Sequence, residues 1–466
     1  MIDDTDICIV GAGPAGTATA IRLCELGHKV SIVESQPFPR PHVGICLSDE
    51  TYQLIDFLGV RVAVDKARFF RRQQTLINWG TTTPKKTEQP GIHLDRGVFD
   101  QILRDRAIAL GAEILQPAKV VRLDAHDAGW RVKIKKKHTN QYLNTRFIVD
   151  ASGKGNVLPG PQERVSPPLT ALHGKWQLKT VPAYDGFIEA GEDAWLWFAQ
   201  VAKTEAIITL FTAPKHFSKS EHNSLEEHYQ QMLQQFSLLE ACELQGLIDD
   251  IRTCDASSRA SLDPVGKNYI RVGDANFSVD PMASQGVHLA MSSALQAAIV
   301  INTCINHPKN TKYALEFYQE RQAERVTNFT QKTAAVYEKV AKKHHNPFWK
   351  ARSSHVTIEE QSNEVNEVFP PMDGVLSLSP EALFKPVPVL KNDFISEELA
   401  LHHQNLARPV AYLGGIHLHD LLKDFPEHIG VGAVMEAWSA QLPRSLSKQI
   451  MAWLYGRGLF ELKWAD

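Results

Sequence analysis

The chain has 466 residues, of which 43% are hydrophobic and 22% charged, a composition typical of a globular protein with two or three domains. Its formal net charge of -3 gives no electrostatic reason to expect nucleic acid or an acidic membrane as a partner. The six cysteines are scattered, without C-x-x-C pairs or metal-type spacing, so we expect free thiols, no metal site and a cytoplasmic location. We also expect neither a signal peptide nor an apolar run long enough to cross a membrane.

The first forty residues carry a nucleotide-binding pattern. An apolar run at 6–10 leads into Gly-Ala-Gly-Pro-Ala-Gly at 11–16 and then into a helical pattern. In this context the first glycine permits a tight turn, the second lets backbone amides approach a pyrophosphate, and the third lets the helix pack on the strand. Glu34 ends a second strand, where an acidic residue accepts hydrogen bonds from an adenosine ribose. A structural βαβ unit without a ligand is the alternative, and these residues alone do not separate FAD from NAD.

Two later segments favour FAD. One strand ends in Gly273-Asp274, and Pro281 is followed by Gly286-Val287 at the start of a long helix. Asp274 is placed to bind a ribityl chain, and the helix N-terminus to face an isoalloxazine carbonyl.

Basic and small residues between these segments complete the predicted cofactor site. Arg40 is expected to neutralise a pyrophosphate or hold the ribose, Arg96 to contact the flavin, and Gly44 to let the backbone run close to a planar ring. His42 and Cys46 are tempting redox or acid–base groups, although a structural role is the default for such single residues. The predicted cofactor contacts are Gly11, Gly13, Pro14, Ala15, Gly16, Glu34, Ser35, Arg40, Gly44, Cys46, Arg96, Val120, Asp150, Gly153, Gly273, Asp274, Pro281, Gly286 and Val287.

The predicted fold class is α/β (α+β), with a Rossmann-like FAD-binding domain. The predicted domains are a discontinuous FAD-binding domain (1–158 and 257–345), an antiparallel-sheet substrate domain (159–256), a linker (346–396) and a small, mainly helical, winged-helix-like module (397–466). With no basic face, the C-terminal module is expected to contact protein rather than DNA. A cap that packs on the FAD domain is the alternative.

These motifs together resemble those of the p-hydroxybenzoate-hydroxylase-type flavoprotein monooxygenases and, within them, the flavin-dependent halogenase branch. The resemblance spans residues 1 to about 340 and is carried by 11–16, 34, 38–40, 44–47, 95–100, 150–153, 273–274 and 280–293. It implies FAD, O₂ and an external reductant, with oxygen passing through a flavin C4a-hydroperoxide to an electron-rich aromatic ring.

The chain departs from the halogenase pattern at two places. Halogenases have W-x-W-x-I-P where this chain keeps Trp195 and Trp197 but not the Ile-Pro. Their essential lysine, counted back from an Asn-Trp pair, corresponds to Arg71, whose high pKa prevents it from acting as a neutral amine. Halogenation is therefore disfavoured, and the predicted catalytic pocket residues are Arg71, Trp195, Trp197 and His288.

The chain also resembles a small branch of flavoproteins that hydroxylate a tryptophan in a precursor polypeptide. These proteins mature cysteine tryptophylquinone enzymes such as glycine or lysine ε-oxidase. The resemblance implies a protein substrate, the oxidase precursor, held with the help of the C-terminal module. Two alternatives stay open: a small-molecule aromatic monooxygenase or halogenase of secondary metabolism, and a flavin-bearing assembly factor that performs no oxidation.

Overall fold

The computed structural model describes residues 2–40, 46–81, 83–137, 139–214, 224–353 and 368–464. The chain forms two compact units, 1–302 with 318–357 and 303–317 with 358–466. Helices and sheets are both substantial, which confirms the predicted α/β class.

The first unit holds the longer part of the chain. Its strands are β1 (Ile2–Val10), β2 (Val30–Val33), β3 (Cys46–Ser48), β4 (Phe70–Asn78), β5 (Lys85–His93), β6 (Glu113–Leu115), β7 (Lys119–His126), β8 (Gly129–Lys136), β9 (Thr139–Asp150), β10 (Gln162–Arg164), β11 (Thr170–Leu178), β12 (Gly186–Ala190), β13 (Ala194–Ala202), β14 (Glu205–Thr212), β15 (Leu244–Leu247), β16 (Arg252–Asp255), β17 (Arg259–Ser261), β18 (Val265–Gly266), β19 (Tyr269–Arg271) and β20 (Phe277–Ser278). Its helices are α1 (Pro14–Glu25), α2 (Asp49–Phe57), α3 (Arg61–Lys66), α4 (Arg96–Ala109), α5 (Leu225–Leu233), α6 (Gly286–Asn306), α7 (Thr311–Ala341) and α8 (Pro347–Ser353), of which α6 and α7 also contribute residues to the second unit.

The first sheet is built on parallel pairs. Its order is β18-β19-β9-β1-β2-β6, and the β7–β8 hairpin extends it beside β9. β1 pairs in parallel with both β2 and β9, and α1 is the crossover between β1 and β2. All of β2 is buried, because a parallel sheet covered on both faces consists of continuous apolar runs. This is the predicted Rossmann-like arrangement, and it brings the carboxyl ends of β1 and β9 together.

The second sheet is mainly antiparallel, in the order β15-β11-β14-β13-β12-β4-β5-β3, with β16 beside β11. One face packs under α5, in a core that includes Leu196, Phe198, Ile208, Tyr229 and Phe236. The sheet extends beyond the predicted substrate domain, because β4 pairs in parallel with β12 and brings β3 and β5 with it.

The second unit has its own core. Its elements are β21 (Gly374–Leu378), β22 (Leu383–Lys391), β23 (Phe394–His402), β24 (Tyr412–Leu413), β25 (Ile416–His417), α9 (Leu418–Leu422), β26 (Ile429–Gly430), α10 (Val431–Ser439), α11 (Arg444–Gly456) and β27 (Phe460–Trp464). β21 lies between β26 and β27, and β22 pairs with β23. The three helices and β21 bury residues such as Leu376, Leu418, Val434, Ile450 and Leu454.

The predicted linker at 346–396 contains regular structure. It supplies α8, β21 and β22, and the last two are held by backbone hydrogen bonds to later strands. Pro386 and Pro388, which suggested a linker, lie in β22 of a two-stranded ribbon. A strand at a sheet edge tolerates proline because its outward N–H groups need no strand partner.

One helix corrects the expectation that no apolar run reaches membrane-spanning length. α6 has 21 residues and is apolar enough to cross a bilayer by length and composition. However, 61% of its most apolar window is buried inside the protein, as in the core helix of a globular domain.

Candidate functional site

The turn between β1 and α1 lets a ligand approach the backbone closely. Gly11 has φ +105°, and a Cβ there would overlap the carbonyl oxygen of Ala151. A Cβ on Gly16 would overlap the carbonyl oxygen of Gly11, so the third glycine lets α1 pack on the turn. Gly13 is the N-cap of α1 and brings no capping side chain, which leaves the first amides of the helix available to an anion. This geometry fits a pyrophosphate.

Glu34 holds the same turn from the end of β2. Its carboxylate is buried, 2% exposed, and accepts hydrogen bonds from the backbone amides of Ala12 at 2.8 Å and Gln36 at 2.7 Å. Ser35 Oγ donates to it at 3.3 Å, and Arg40 Nη1 lies 3.4 Å away. Glu34 is thus fixed beside the glycine turn, where the predicted adenosine ribose would lie.

Arg40 and Arg96 converge on the buried carboxylate of Asp100. Arg96 makes a bidentate pair with it, at 2.8 and 3.1 Å, and Arg40 Nη2 lies 3.5 Å from it. The guanidinium of Arg40 also reaches the glycine turn, since a Cβ on Gly13 would lie 3.1 Å from its Nη2. Within the described residues, the buried Nε of Arg40 has no hydrogen-bond partner. The two arginines face two buried carboxylates, Glu34 and Asp100, which balance their charge and fix the guanidinium of Arg40 beside the turn. A guanidinium fixed there can donate hydrogen bonds to a pyrophosphate.

Asp150 makes its hydrogen bonds to other residues of the protein. Its fully buried carboxylate accepts hydrogen bonds from Ser152 Oγ at 2.6 Å, the amide of Leu158 at 3.0 Å and Arg271 Nη1 at 3.4 Å. These partners occupy both oxygens, so Asp150 positions the turn after β9, and its contact with the cofactor stays a prediction. A buried carboxylate needs such partners to stay charged.

Asp274 lies at the end of β19 in a different environment. It is the one exposed residue of the segment 271–278, whose other members are buried. Gly273 before it has φ +57°, and its amide donates to Ser293 Oγ at 3.0 Å. The residue thus lies at an open position on a rigid segment, while desolvation by the surrounding protein raises the pKa of its carboxyl against the opposing effect of Lys154 and Arg96. A carboxyl in this place can bind a ligand with hydroxyl groups.

Of the other predicted cofactor contacts, some are buried in the core and some are at least partly exposed. Pro14 and Ala15 are buried in the first turn of α1, and Val120 is buried in the core under β7. Gly153 has φ +64°, Pro281 begins a short 3₁₀ turn, and Gly286 and the half-buried Val287 begin α6. Gly44 and His42 lie outside the described residues.

Of the two arginines of β4, Arg72 is the one that lies beside Cys46 and His93 on the inner face of the second sheet. Regular alternation from Ile77 and Thr75 would place Arg71 on that face instead. The alternation is interrupted where the register between β4 and β5 shifts, between Arg72 and Gln74, at a β-bulge in which β5 has one residue more than β4. The Arg71 side chain is 71% exposed and pairs with Asp65 at 3.6 Å. The structure does not bring Arg71 into the predicted pocket.

A small polar group occupies the inner face beside the bulge. Arg72 Nη1 donates to Cys46 Sγ at 3.1 Å, and Cys46 pairs with His93 across β3 and β5. His93 is 2% exposed, and its Nδ1 lies 2.7 Å from the carbonyl oxygen of Gln200. Because a carbonyl only accepts, the proton lies on Nδ1 and leaves a lone pair on Nε2. Nε2 has no hydrogen-bond partner within the described part of the chain.

Burial determines the charge of this group. Burial, reinforced by the nearby Arg72 and opposed by the hydrogen bond to the carbonyl of Gln200, lowers the pKa of His93 from 6.5 to about 4. Burial also raises the pKa of the Cys46 thiol, although Arg72 opposes that shift. At neutral pH the group therefore holds one positive charge, on Arg72, next to a neutral imidazole and a neutral thiol.

Trp195 and Trp197 both lie on this inner face, but in different surroundings. The ring of Trp197 meets His93 edge to face at 6.2 Å. Trp195 stacks on Phe211 at 3.8 Å and meets Trp79 edge to face at 6.0 Å. Trp197 thus contacts the polar group at His93, and Trp195 contacts an aromatic cluster that includes Trp79.

The aromatic cluster is completed by residues from α7 and α8. Trp79 packs against Tyr337 at 6.1 Å and Trp349 at 5.6 Å, and its Nε1 donates to the carbonyl oxygen of Val336 at 2.8 Å. Met282, from the turn before α6, packs against the same cluster. The cluster therefore joins the second sheet to the predicted flavin-binding turn through apolar contacts that exclude water.

A small, partly open pocket lies beside this cluster, lined by residues that include Phe277, Asp280, Phe329, Tyr337 and Arg352. Tyr337 donates its hydroxyl to the carboxylate of Asp280 at 3.0 Å, and the amide of Met282 donates to it at 2.9 Å. Burial raises the pKa of Asp280 and lowers that of Arg352. The pocket is thus largely apolar with a few oriented polar groups, as small-molecule and side-chain binding pockets are.

His288 lies elsewhere on the first turns of α6. It is half-buried, and burial lowers its pKa, with Glu50 opposing and Arg325 reinforcing the shift. Its Nδ1 has no hydrogen-bond partner in the described residues. Its role as a pocket residue stays a prediction.

Sequence reasoning missed Arg72, His93, Tyr337 and Trp349. Arg72 was adjacent to the predicted position, and regular alternation would have favoured Arg71. His93 is the last residue of β5, and no motif in the sequence marks it. Tyr337 and Trp349 lie more than 250 positions after Trp79, so no local pattern links them.

Two family models match the chain. FAD dependent oxidoreductase matches residues 6–160, and Tryptophan halogenase matches residues 238–387. The tryptophan 2-halogenase of Chondromyces crocatus is 30% identical over 75% of this chain and 70% of its own length. The putative FAD-dependent oxidoreductase LodB of Marinomonas mediterranea is 22% identical over 78% of this chain and 100% of its own.

Solved structures share the fold over nearly the whole chain. The flavin-dependent halogenase CmlS is similar with a TM-score of 0.79 and 18% identity, over 100% of this chain and 97% of its own. The peptidyl tryptophan dihydroxylase QhpG, essential for tryptophylquinone cofactor biogenesis, is similar with a TM-score of 0.75 and 23% identity, over 98% of this chain and 100% of its own.

Proposed function

This chain belongs to the flavin-dependent halogenase family of FAD oxidoreductases, and we propose that within it the chain is an oxygenase of a tryptophan side chain in a precursor protein. The hydroxylated tryptophan would become part of the cysteine tryptophylquinone cofactor of an amino-acid oxidase. Flavin-dependent oxidation follows from the family; the protein substrate and the hydroxylation are the proposal.

The observation that carries the proposal is the arginine on the inner face of β4. Halogenases of the resembling type need a lysine there, whose amine carries or positions the hypohalous acid. Both residues at this point are arginines, and the inward Arg72 is held by Cys46. A guanidinium stays protonated at any physiological pH and cannot act as a neutral amine.

The glycine turn and its arginines fit FAD. Gly11 and Gly16 let the turn pack closely on itself and on the segment after β9, and Gly13 leaves the first amides of α1 open to an anion. Arg40 would donate hydrogen bonds to the pyrophosphate, and Asp274 would accept hydrogen bonds from the ribityl hydroxyls. Reduced FAD supplies the electrons and the activated oxygen when it is bound.

The protein's own residues supply position, dryness and hydrogen bonds. The cluster of Trp79, Tyr337 and Trp349 excludes water from one side of the pocket, which strengthens polar interactions inside it. His93 Nε2 is a neutral acceptor that can take an indole N–H or a proton lost from the ring, while Arg72 stabilises developing negative charge.

A protein substrate is supported by the comparison with the peptidyl tryptophan dihydroxylase. The similarity covers both units of this chain, although the halogenase CmlS covers both as well. The fold alone therefore does not separate hydroxylation from halogenation, and the arginine is the distinguishing feature.

The test is co-expression with a candidate precursor, a tryptophylquinone-type oxidase from the same genome, followed by its intact mass. We expect a gain of oxygen atoms on one tryptophan with the wild-type chain. Gly13→Ala places a Cβ 3.1 Å from Arg40 Nη2 at the pyrophosphate site and should abolish the gain. Gly246→Ala is the matched control, since a Cβ there meets no atom within 4 Å.

Three other results would contradict the proposal. An unchanged precursor mass, with turnover of free tryptophan or indole, would identify a small-molecule enzyme. A halogen isotope pattern in medium containing bromide would identify a halogenase. Maturation that persists with Gly13→Ala, after loss of flavin binding is verified by flavin fluorescence, would identify an assembly factor that performs no oxidation.

A further inference from the structure

The second unit holds a group of side chains that the flavin chemistry does not use. His417 ends β25, and His419 and Asp420 lie in the first turn of α9. One nitrogen from each histidine and one oxygen from the aspartate all lie within 4.8 Å of one another. Two imidazoles and a carboxylate are the ligands that Zn²⁺ and related divalent transition metals take.

The hydrogen bonds of His417 leave its Nδ1 facing a second acceptor. Its Nε2 lies 3.2 Å from the carbonyl oxygen of Leu399, which can only accept, so Nε2 carries the proton. In the neutral ring Nδ1 then has a lone pair, and it lies 2.9 Å from Asp420 Oδ2. Two acceptors this close need a positive charge between them, supplied either by a second proton or by a cation.

A metal ion fits this group after a small movement of the side chains. Zn²⁺ binds nitrogen and oxygen ligands tetrahedrally at about 2.0–2.2 Å, which places them roughly 3.4 Å apart, so the 2.9 Å between His417 Nδ1 and Asp420 Oδ2 would widen by about 0.5 Å. His419 Nδ1 lies 3.7 Å from Asp420 Oδ1, close enough to supply the third ligand after a small side-chain rotation.

The surrounding contacts orient the ligands as in known metal sites. The N–H of a metal-binding histidine is usually held by a carbonyl or carboxylate, and His417 Nε2 has Leu399 at 3.2 Å and Glu398 Oε2 at 3.8 Å. The His417 ring packs on Tyr412 at 4.9 Å, and the His419 ring packs edge to face on Phe384 at 5.0 Å.

We propose that His417, His419 and Asp420 bind one divalent transition metal ion, of which Zn²⁺ is the best match, with solvent at the remaining positions. The ion ties α9 to the β22–β23 ribbon through Leu399. Lys423, whose Nζ lies 3.8 Å from Asp420 Oδ1, is the competing cation, so its pairing with Asp420 is weakened when the metal binds.

The experiment uses the untagged full-length chain after treatment with a chelator. Zn²⁺ is titrated by calorimetry, and Co²⁺ by its visible ligand-field absorption. We expect one ion per chain with the wild type. His419→Gln and Asp420→Asn should each weaken metal binding at least about tenfold. Even the loss of a residue that only hydrogen-bonds to a metal ligand lowers metal affinity about 10- to 100-fold. His428→Gln, an exposed histidine of the same unit outside the cluster, should bind like wild type.

Circular dichroism verifies that each variant is folded before titration. Absence of Zn²⁺ and Co²⁺ binding by the wild type would overturn the proposal and leave His417 and Asp420 as a simple imidazolium–carboxylate pair. Equal loss of affinity in His419→Gln and His428→Gln would also overturn it, because binding would then be nonspecific. The measurement does not depend on flavin or substrate, so it stands or fails separately from the proposed oxygenase function.

Discussion

Arg72 donates a hydrogen bond from Nη1 to Sγ of Cys46 at 3.1 Å, and this contact holds the guanidinium against the inner face of the second sheet. The neighbouring Arg71 lies on the opposite face in an exposed pair with Asp65. Two consecutive arginines therefore have different surroundings, and each serves as a control for the other.

Substitution of Arg72 should reduce product formation far more than substitution of Arg71. Arg72→Gln removes the charge beside Trp197 and His93, and we expect turnover of the protein substrate to fall about 100-fold, as for loss of a positioning contact. Arg71→Gln should stay within about twofold, because exposed ion pairs contribute little. Single-turnover rates with photoreduced flavin measure both, and a larger loss with Arg71→Gln would contradict the orientation seen here.

The two nitrogens of His93 can be tested separately. Asparagine keeps a donor near the position of Nδ1 for the carbonyl of Gln200 but has no atom at the Nε2 position, whereas glutamine keeps a polar atom near Nε2. We expect His93→Asn to fold normally and lose at least about 100-fold in the rate of substrate oxidation, and His93→Gln to regain part of it. A structural role alone would predict the reverse, with near wild-type activity in His93→Asn.

His93 should also make the protein sensitive to acid. Because burial lowers its pKa from 6.5 to about 4, the unfolded chain binds this proton first as the pH falls. The contribution of the neutral ring to stability is complete above pH 6.5 and is lost progressively down to about pH 4. A pKa difference of this size corresponds to about 3 kcal/mol in the free energy of unfolding.

Urea unfolding of wild type and His93→Asn between pH 7 and pH 4 measures this effect. Carboxylates contribute equally to both proteins, so the difference between the two pH profiles isolates the histidine. The wild type should lose about 3 kcal/mol more than the variant over this range. Parallel profiles would show that His93 is not buried in the neutral form.

Tyr337→Phe should destabilise the first unit. The change removes one of the donors to the buried carboxylate of Asp280, which keeps the amide of Met282, and loss of such a partner costs about 1–3 kcal/mol. Tyr313→Phe is the control, since its hydroxyl bonds Glu397 at an exposed position and its loss should cost less than about 0.5 kcal/mol. Chemical denaturation followed by tryptophan fluorescence compares the two, and equal effects would contradict a buried role for Asp280.

Local chemistry explains what could be predicted from the sequence. The glycine turn, Glu34 and the α/β class follow from backbone conformations and periodicities that neighbouring residues determine among themselves. The same holds for α4, which begins at Arg96 because the carboxylate of Asp95 caps it by accepting from the amides of Gly97 and Val98. The linker at 346–396 was mispredicted for the opposite reason, because β21 and β22 are stabilised by strands that occur later in the chain.

The sequence by itself determined the FAD-binding turn, the family and the loss of the halogenase lysine, since each depends on residue type at a fixed spacing. Only the tertiary structure decided which arginine lies beside Cys46 and His93, because the alternation of β4 is interrupted where its register with β5 shifts. It also decided that Trp79, Tyr337 and Trp349 form one cluster and that His417, His419 and Asp420 converge. These groupings arise from packing and strand pairing between distant segments, and no local periodicity encodes them.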